Sequence, residues 1–551
     1  MLAYLIRQSR TVLITATVAS VIAGGCSVLL VTQINAALTA PDHAARTALA
    51  VRFAVIAVAA ALAHTVSSVL FERLSIRAQA HLRRFIADKT IATSFRQLEE
   101  IGGPRVQSAL SEHSASVASF FVNVPVILVN AIIVLGGLAY LAWLSWPVFL
   151  AALVVIGLGS LGYHLAHLKA IRHLDVAARE QDTLFDHFRS LIEGAKELRL
   201  HAAKRARFAD HVLGRSIDVV RSERERGMSV FLAASGWGSF LIYAFIGLVL
   251  FVLVGDAPDS ARVMTGFALI FIYLMAPLEG LLLSLPRANL ARVSARRIEA
   301  ITSALADAGE AATAESPRAF QRLALHGVTH RYFHEGLDDL FTLGPVNLTF
   351  APGQLVFLVG GNGSGKTTLA KLLVGLYEPE SGEIVLDGQP VESRDRYRQT
   401  FSAIFSDFHL FDRLLDAATG DLDEQGNRLL KKLQLHHKVQ VQGGAFTTRA
   451  LSQGQRKRLA LVVAYLEDRP FLVFDEWAAD QDPLFKDVFY RELLPELKAL
   501  GKTVLVISHD DRYFDLADTL IRMESGQIVA VEDCTAHAPR QRDEAPLDVA
   551  S

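Results

Sequence analysis

Two cysteines, Cys26 and Cys534, are all that this 551-residue chain carries. A disulfide scaffold and a cysteine-built zinc cluster are excluded on that count. An excess of either charge is missing too: 55 Lys and Arg stand against 57 Asp and Glu, for a formal net charge of −2. No basic surplus points to nucleic acid as a partner. Charged residues make up only 20% of the chain and hydrophobic ones 51%. That is too apolar for disorder and high for a wholly soluble protein. At roughly 150 residues per domain the length suggests three or four domains. The averages hide a division: up to about residue 290 the chain is membrane-like, and the rest reads as a soluble α/β domain.

Asp, Glu, Lys and Arg are absent from Thr11 to Pro41, Phe53 to Phe71, Met228 to Val254 and Val263 to Leu278, and through 55 residues from Ser114 to Leu168. A helix needs about 20 apolar residues to cross a bilayer, whose hydrocarbon offers no water to unpaired backbone groups. The longest gap fits two spans turning at Ser145-Trp146-Pro147. Six spans are therefore predicted, at about 11–34, 50–71, 119–143, 147–168, 229–254 and 263–285. The long loop after span two carries Arg73, Arg77, Arg83, Arg84, Lys89, Arg96 and Arg105. The long loop after span four carries Arg199, Lys204, Arg205, Arg207, Arg221, Arg224 and Arg226, while the other three loops are short and nearly free of Lys and Arg. Positive-inside bias places both long loops and both termini in the cytoplasm. Arg7 and Arg10, an apolar run and Ala23-Gly24-Gly25-Cys26 also mimic a lipoprotein signal. Cleavage there would remove a span, so Cys26 reads as a small packing residue of the first helix.

Ser190 to Leu200 mixes apolar and charged residues with strong helix formers. It reads either as a solvated amphipathic helix or as an extension of the membrane helices that meets the soluble domain. Glu279, two residues past Pro277 in span six, either lines a cavity or pairs with Arg287 near the interface. His64 in span two is expected to be a hydrogen-bonded packing residue.

The soluble half opens after an Ala-, Glu- and Gly-rich linker over 303–318. Leu355 to Val359 is an apolar run of strand formers, Gly360-Gly361-Asn362-Gly363-Ser364-Gly365-Lys366-Thr367 follows at once, and Thr368 begins a stretch of helical spacing. This is a phosphate loop in its strand–loop–helix context. Its glycines let consecutive N–H groups face a phosphate, and the helix start adds partial positive charge. Lys366 can reach the β- and γ-phosphates, and the Thr367 hydroxyl can ligate Mg²⁺. Downstream, Phe471 to Phe474 reads as a strand ending in Asp475 and Glu476. Asp475 is then placed to hold Mg²⁺ through water and Glu476 to polarise an attacking water. Between them, Leu451-Ser452-Gln453-Gly454-Gln455 opens a helix where Ser452 and the amides near Gly454 can take another phosphate. A further strand, Thr503 to Ile507, leads to His509, expected at the γ-phosphate.

Together these residues resemble an ATP-binding-cassette exporter half-transporter: six membrane spans followed by one α/β P-loop ATPase domain. The resemblance covers the chain up to about residue 536. It divides the chain into a six-span exporter domain (1–302), the linker (303–318), the ATPase domain (319–535) and a polar tail (536–551). It implies that Gly360–Thr367, with Thr368, is Walker A, Leu451–Gln455 the signature, Asp475 the Walker B acid, Glu476 the catalytic glutamate and His509 the switch histidine. Tyr332, 28 residues before Gly360, matches the aromatic that stacks on adenine. Ala479-Asp480-Gln481-Asp482 falls at the D-loop. A homodimer is implied, with two ATPs clasped between Walker A of one copy and the signature of the other.

Three positions depart from the family pattern. Gln453 replaces a glycine in the signature, the D-loop keeps only its final acid, and Ser406 stands at the usual Q-loop glutamine. Asp407 or a bridging water is expected to compensate for the shorter serine at Mg²⁺. The variants Phe405–Asp412, Asp475–Pro483, Glu193–Leu198, Gly360–Lys366 and Ser508–Asp511 resemble the cyclic-peptide exporter branch. That branch includes exporters of pyoverdine-type siderophore precursors, syringomycin-like lipopeptides and lasso-peptide microcins. The resemblance implies a bacterial inner-membrane protein that exports a peptide or other amphipathic molecule and contacts membrane lipid. A lipid flippase, a general multidrug exporter and a membrane-anchored regulatory ATPase are the rival readings. A leader-cleaving exporter lacks support, because no Cys-His pair precedes the first span.

Overall fold

The computed structural model describes residues 10–38, 43–249, 251, 260–305, 319–332, 341–391, 393–415 and 421–534. Most of the linker and all of the tail beyond 536 lie outside them. The chain forms two compact units: Met1–Lys89 with Gly103–Ala304, and Thr90–Gly102 with Leu305–Ser551.

Among the described residues of the first unit six helices are long and apolar enough to cross a membrane. They are contained in Arg10–Leu38, Arg46–Ala92, Gly103–Leu144, Trp146–Glu193, Ala202–Leu248 and Thr265–Ser284. Several run far past the length a bilayer requires, because the amphipathic loop sequences continue the helix instead of breaking it. The expected turn falls where proline dictates: one helix ends at Leu144, Ser145 is extended, and Pro147 enters the first turn of the next. Span five packs along span four, and span six along span three. Their shared core includes Val129, Ile133, Leu141, Ala152, Phe245, Phe267 and Phe271. In lipid, where apolar burial gives helices little drive to associate, close packing and buried hydrogen bonds do the joining. Ser20 and Ser67 share a buried hydroxyl contact of 2.5 Å, and Asn35 donates to the Tyr140 hydroxyl at 2.9 Å. A Cβ on Gly137 would come within 2.9 Å of Leu274, so only glycine admits that approach.

Two expectations in this unit resolve differently. His64 is exposed on the surface of span two and makes no hydrogen bond among the described residues. Its side chain is exposed, so it is not the hydrogen-bonded packing residue expected. Glu279 lines a cavity with Tyr163, Phe231, Ser239 and Met275, while Arg287 donates to Asn123 at 2.9 Å. Ser190–Leu200 is helical apart from a break at Gly194, and it belongs to the first unit.

Among the described residues the second unit contains twelve strands. β1 (Leu323–Tyr332), β2 (Phe341–Phe350), β4 (Ser381–Leu386) and β5 (Gln389–Pro390) make an antiparallel sheet in the order β2-β1-β4-β5. β3 (Leu355–Gly360), β6 (Phe401–Ile404), β9 (Phe471–Asp475), β10 (Thr503–Ile507), β11 (Thr519–Glu524) and β12 (Gln527–Asp533) make the second sheet, ordered β12-β11-β3-β10-β9-β6. β7 (Val441–Gln442) and β8 (Ala445–Phe446) form a small hairpin. From β11 to β6 the second sheet is parallel. Alternate residues of β9 feed opposite cores, Phe471 and Val473 on one face and Leu472 and Phe474 on the other. A parallel sheet covered on both faces has to read as an unbroken apolar run, which is what β3, β9 and β10 show. Register puts Leu358 and Asp475 both opposite Ile507, so the carboxyl ends of three neighbouring strands open on one edge. Ligands of open α/β sheets bind at that edge.

Candidate nucleotide site

Gly360 ends β3 with φ 155°, and a Cβ there would sit 2.1 Å from the Met523 carbonyl. No side chain fits, so the chain must turn on glycine. Gly361, Asn362 and Gly363 are exposed, Ser364 is buried, and Gly365 in the left-handed region (φ 97°) caps the Lys366–Leu373 helix. Thr367 and Thr368 open that helix half-buried. The Lys366 ammonium folds back onto the loop, donating to the Gly360 and Gly361 carbonyls at 3.0 and 2.8 Å. Burial pulls its pKa below the ordinary lysine value, with Glu476 and Asp475 pulling the other way. Those carbonyls hold the cation at the mouth of the loop.

Asp475 is 1% exposed at the end of β9. Its Oδ2 accepts from the Thr367 hydroxyl at 2.9 Å. Its Oδ1 and the Ser364 hydroxyl are buried with no hydrogen-bond partner among the described residues. Buried polar atoms without partners cost free energy, and a bound cation or phosphate would satisfy both of these. Burial raises the Asp475 pKa most strongly, the Thr367 hydrogen bond opposes it, and Glu476 adds to it. The backbone amide of Ser406 also favours the ionised form, which places the Q-loop position beside this carboxylate. No cluster of three or more His, Cys, Asp or Glu among the described residues could cage a metal alone. One orphan carboxylate oxygen with two hydroxyls instead fits Mg²⁺, a hard cation that is commonly held by one or two carboxylates together with substrate phosphates. Asp407, in the same turn as Ser406, is exposed and makes no hydrogen bond or ion pair among the described residues.

Glu476 follows Asp475 in the left-handed region (φ 49°), and its carboxylate lies 3.2 Å from His509 Nε2. Parallel pairing of β9 and β10 brings these two side chains together, although 33 residues separate them. Ser452 stands apart. It caps the Gln453–Glu467 helix in a capping box: its hydroxyl accepts from the Gln455 amide, and the Gln455 side chain accepts from the Ser452 amide. Among the described residues no hydrogen bond within one chain joins Ser452, Gly454 or Gln455 to the phosphate loop. Tyr332 is the last residue of β1, paired with Phe341.

Two features escaped sequence reasoning. The helix Phe95–Ile101, from the loop between spans two and three, is part of the second unit. Glu99 there accepts from the Tyr377 hydroxyl at 2.6 Å and from Lys371 Nζ at 3.2 Å. Tyr377 stacks on His330 at 5.0 Å, two residues before Tyr332. Only the capped motif Ser94-x-x-Gln97 hinted at that helix. The second feature is Lys457, buried under the turn that follows Glu476. No local pattern signals a buried lysine.

A family model described as ABC transporter matches residues 343–479. The chain is 37% identical over 481 residues to the ATP-binding protein SyrD of Pseudomonas syringae pv. syringae, covering 85% of each. It is 28% identical over 506 residues to an ATP-dependent lipid A-core flippase of Burkholderia thailandensis, covering 86% of this chain and 81% of that one. Among solved structures, a bacterial Atm1-family ABC exporter with ATP bound matches with a TM-score of 0.73 at 16% identity, covering 96% and 95% of the two chains. That likeness shows the fold: six long apolar helices joined to a P-loop ATPase domain. The extent and identity of the SyrD match, the family model over the phosphate-loop domain and the exporter fold agree. The chain belongs to the ABC transporter family, as an exporter-type half-transporter whose nucleotide-binding ATPase domain is coupled to transport.

Proposed function

We propose that two copies of this chain form an ATP-driven exporter of a cyclic peptide, lipopeptide or peptide siderophore precursor, working by alternating access in the bacterial inner membrane. Both termini and the ATPase domain face the cytoplasm. The ATPase reading is carried by one observation: the phosphate loop, the Asp475–Thr367 pair and the Glu476–His509 pair converge at one edge of a parallel sheet. The cargo reading is supported by the branch motifs and by greater identity to SyrD than to the flippases.

In this reading the Gly361–Gly365 amides and the Lys366 ammonium bind the β- and γ-phosphates, and Tyr332 stacks on the adenine. Asp475, the Thr367 hydroxyl and Asp407 in the Q-loop turn hold Mg²⁺. That ion supplies charge neutralisation on the phosphate oxygens when bound. Glu476 orients a water for attack and accepts its proton, while His509 fixes that carboxylate and contacts the γ-phosphate. Lys366 offsets the negative charge that develops on the phosphoryl group. Ser452, Gly454 and Gln455 are exposed or half-exposed on one chain, so they meet the nucleotide of the second copy.

A lipid flippase is the second reading, favoured by the 28% identity over 506 residues. ATP-dependent uptake into inside-out vesicles separates the two, comparing a cyclic peptide, a siderophore precursor and a lipid, with Glu476→Gln as control. Peptide or siderophore uptake that Glu476→Gln abolishes supports the proposal. Uptake of lipid alone transfers the assignment to the flippase.

A further inference from the structure

Lys457 lies on the signature helix with its side chain only 3% exposed. A buried ammonium is tolerated only when paired and hydrogen-bonded. Its Nζ donates to the backbone carbonyl of Glu476 at 2.8 Å and meets the Asp480 carboxylate at 2.7 Å. Its own carbonyl accepts from the Trp477 indole at 2.9 Å, and Trp477 is 1% exposed. Lys457 therefore grips the Glu476–Asp480 turn from both its side chain and its backbone. That turn starts with Glu476 in the left-handed region, which side chains other than glycine adopt at a cost.

Two of the three departures from the family pattern, in the signature and the D-loop, meet here. Gln453, in place of the signature glycine, donates to the Asp480 carboxylate at 3.1 Å. Gln481 donates to the Gly454 carbonyl at 3.0 Å and accepts from Arg458 at 2.9 Å, and Arg458 pairs with Asp482 at 2.6 Å. A Cβ on Gly454 would stand 2.7 Å from the Asp480 carbonyl, so the helix start and the D-loop backbone touch. The first two turns of the signature helix and the segment Glu476–Asp482 are thus tied together by side-chain and backbone contacts.

We propose that Lys457 is a positioning residue for hydrolysis. It fixes the backbone of Glu476 and, through Asp480 and Gln453, ties that backbone to the end of the helix capped by Ser452. The role rests on the reading of Glu476 as the group that orients water. In the dimer the phosphate at Ser452 belongs to the nucleotide facing the other copy's Walker A. A phosphate seated there sets the Glu476 carboxylate of the same chain, which serves the other site. Hydrolysis at the two sites is cooperative through these contacts. Lys457 needs no contact with nucleotide for this.

The test uses the full-length protein reconstituted in lipid, with steady-state ATPase against ATP concentration. Lys457→Met keeps the length of the side chain and loses the donor. It is expected to lower kcat by about ten- to a hundredfold, as displacement of a catalytic group on the order of 1 Å does. KM for ATP should stay within about twofold, since ground-state binding is untouched. The Hill coefficient should fall towards one. Lys457→Gln keeps a donor for the carbonyl and should recover most of kcat. Because Lys457→Met leaves the Asp480 charge without its cation, Lys457→Met with Asp480→Leu guards against misfolding. This double variant should fold, bind nucleotide and remain slow. A folded double variant with wild-type kcat and cooperativity would overturn the proposal. Glu476→Gln turning over normally would instead overturn the reading of Glu476, whatever Lys457 variants do.

Discussion

Asp475→Asn should make the nucleotide-free protein more stable and the loaded protein inactive. The carboxylate is 1% exposed, one of its oxygens has no partner, and burial pushes its pKa up. Asparagine has the same shape, keeps an oxygen for the Thr367 hydroxyl and removes the buried charge. An unsatisfied buried polar atom costs about 1–3 kcal/mol, and more when charged; the amide nitrogen still lacks a partner, so only the charge excess is relieved, on the order of 1 kcal/mol. For a unit of this size about 1 kcal/mol moves Tm by roughly 2–4 °C, so Asp475→Asn should melt several degrees higher in chelator. The sign of the pH dependence follows from linkage. With a folded-state pKa above the usual 3.8, the native protein holds the proton more tightly than the unfolded chain. Wild-type stability therefore falls as pH rises from about 3.8 towards the raised folded value, then stays level. The variant's advantage grows over that window and persists at neutral pH. Adding Mg²⁺ with a nonhydrolysable ATP analogue reverses the order. Wild type gains about 2.7 kcal/mol at a ligand concentration 100 times Kd, whereas the variant gains much less. Thermal melts of the purified protein across pH, with and without the ligand pair, read both effects. A variant that melts below wild type in chelator at neutral pH would refute this account of the orphan oxygen.

Lys366→Ala should cut ATP turnover by at least about 100-fold, because the cation at the loop mouth neutralises developing phosphate charge; colorimetric phosphate release measures it. Glu476→Gln should retain nucleotide binding and stall as a closed dimer, read by nucleotide trapping and cross-linking, and normal turnover would contradict the role. Glu99→Ala removes the acceptor for both Tyr377 and Lys371. It should lower cargo uptake by about 2- to 30-fold with a smaller effect on basal ATPase, as substitutions along a coupling path do. Trp477→Ala should cost about 3–5 kcal/mol, since the indole is fully buried and stacked 4.2 Å from Phe489, and a loss of folded yield on size exclusion checks it.

Charge-free runs announce spans because hydrocarbon excludes ions, and all six were legible. Where the helices stop was not, since polar loop residues with good propensity carry Trp146–Glu193 far past the apolar stretch. The phosphate loop could be read because each residue serves a local need: glycines for the turn, lysine and threonine at a helix start. Asp475 and Glu476 were legible as a strand end, and the pairing of β9 with β10 explains why His509 reaches Glu476. Lys457 was invisible, because lysine on a helix with two arginine neighbours looks solvated until the D-loop covers it. His64 failed in the opposite sense: a polar residue in an apolar run suggests an inward partner, yet its side chain is exposed with its apolar neighbours Leu62 and Val66. The capping box Ser452-x-x-Gln455 stood in the sequence as plainly as the signature it overlaps.

The claim beneath all of this is that each nucleotide is clasped between the phosphate loop of one copy and the signature of another. Mixing two inactive variants tests it most directly. Lys366→Ala spoils every phosphate loop and Ser452→Arg every signature, so either protein alone should hydrolyse little ATP. Co-expressed, the two form heterodimers in which one site has an intact loop and an intact signature. The account predicts that ATPase activity returns in part and without cooperativity in the isolated heterodimer, because the copy that supplies Glu476 to the intact site carries the spoiled signature. Heterodimers that stay inactive, or a Ser452→Arg protein that hydrolyses ATP at the wild-type rate as a monomer, would contradict it.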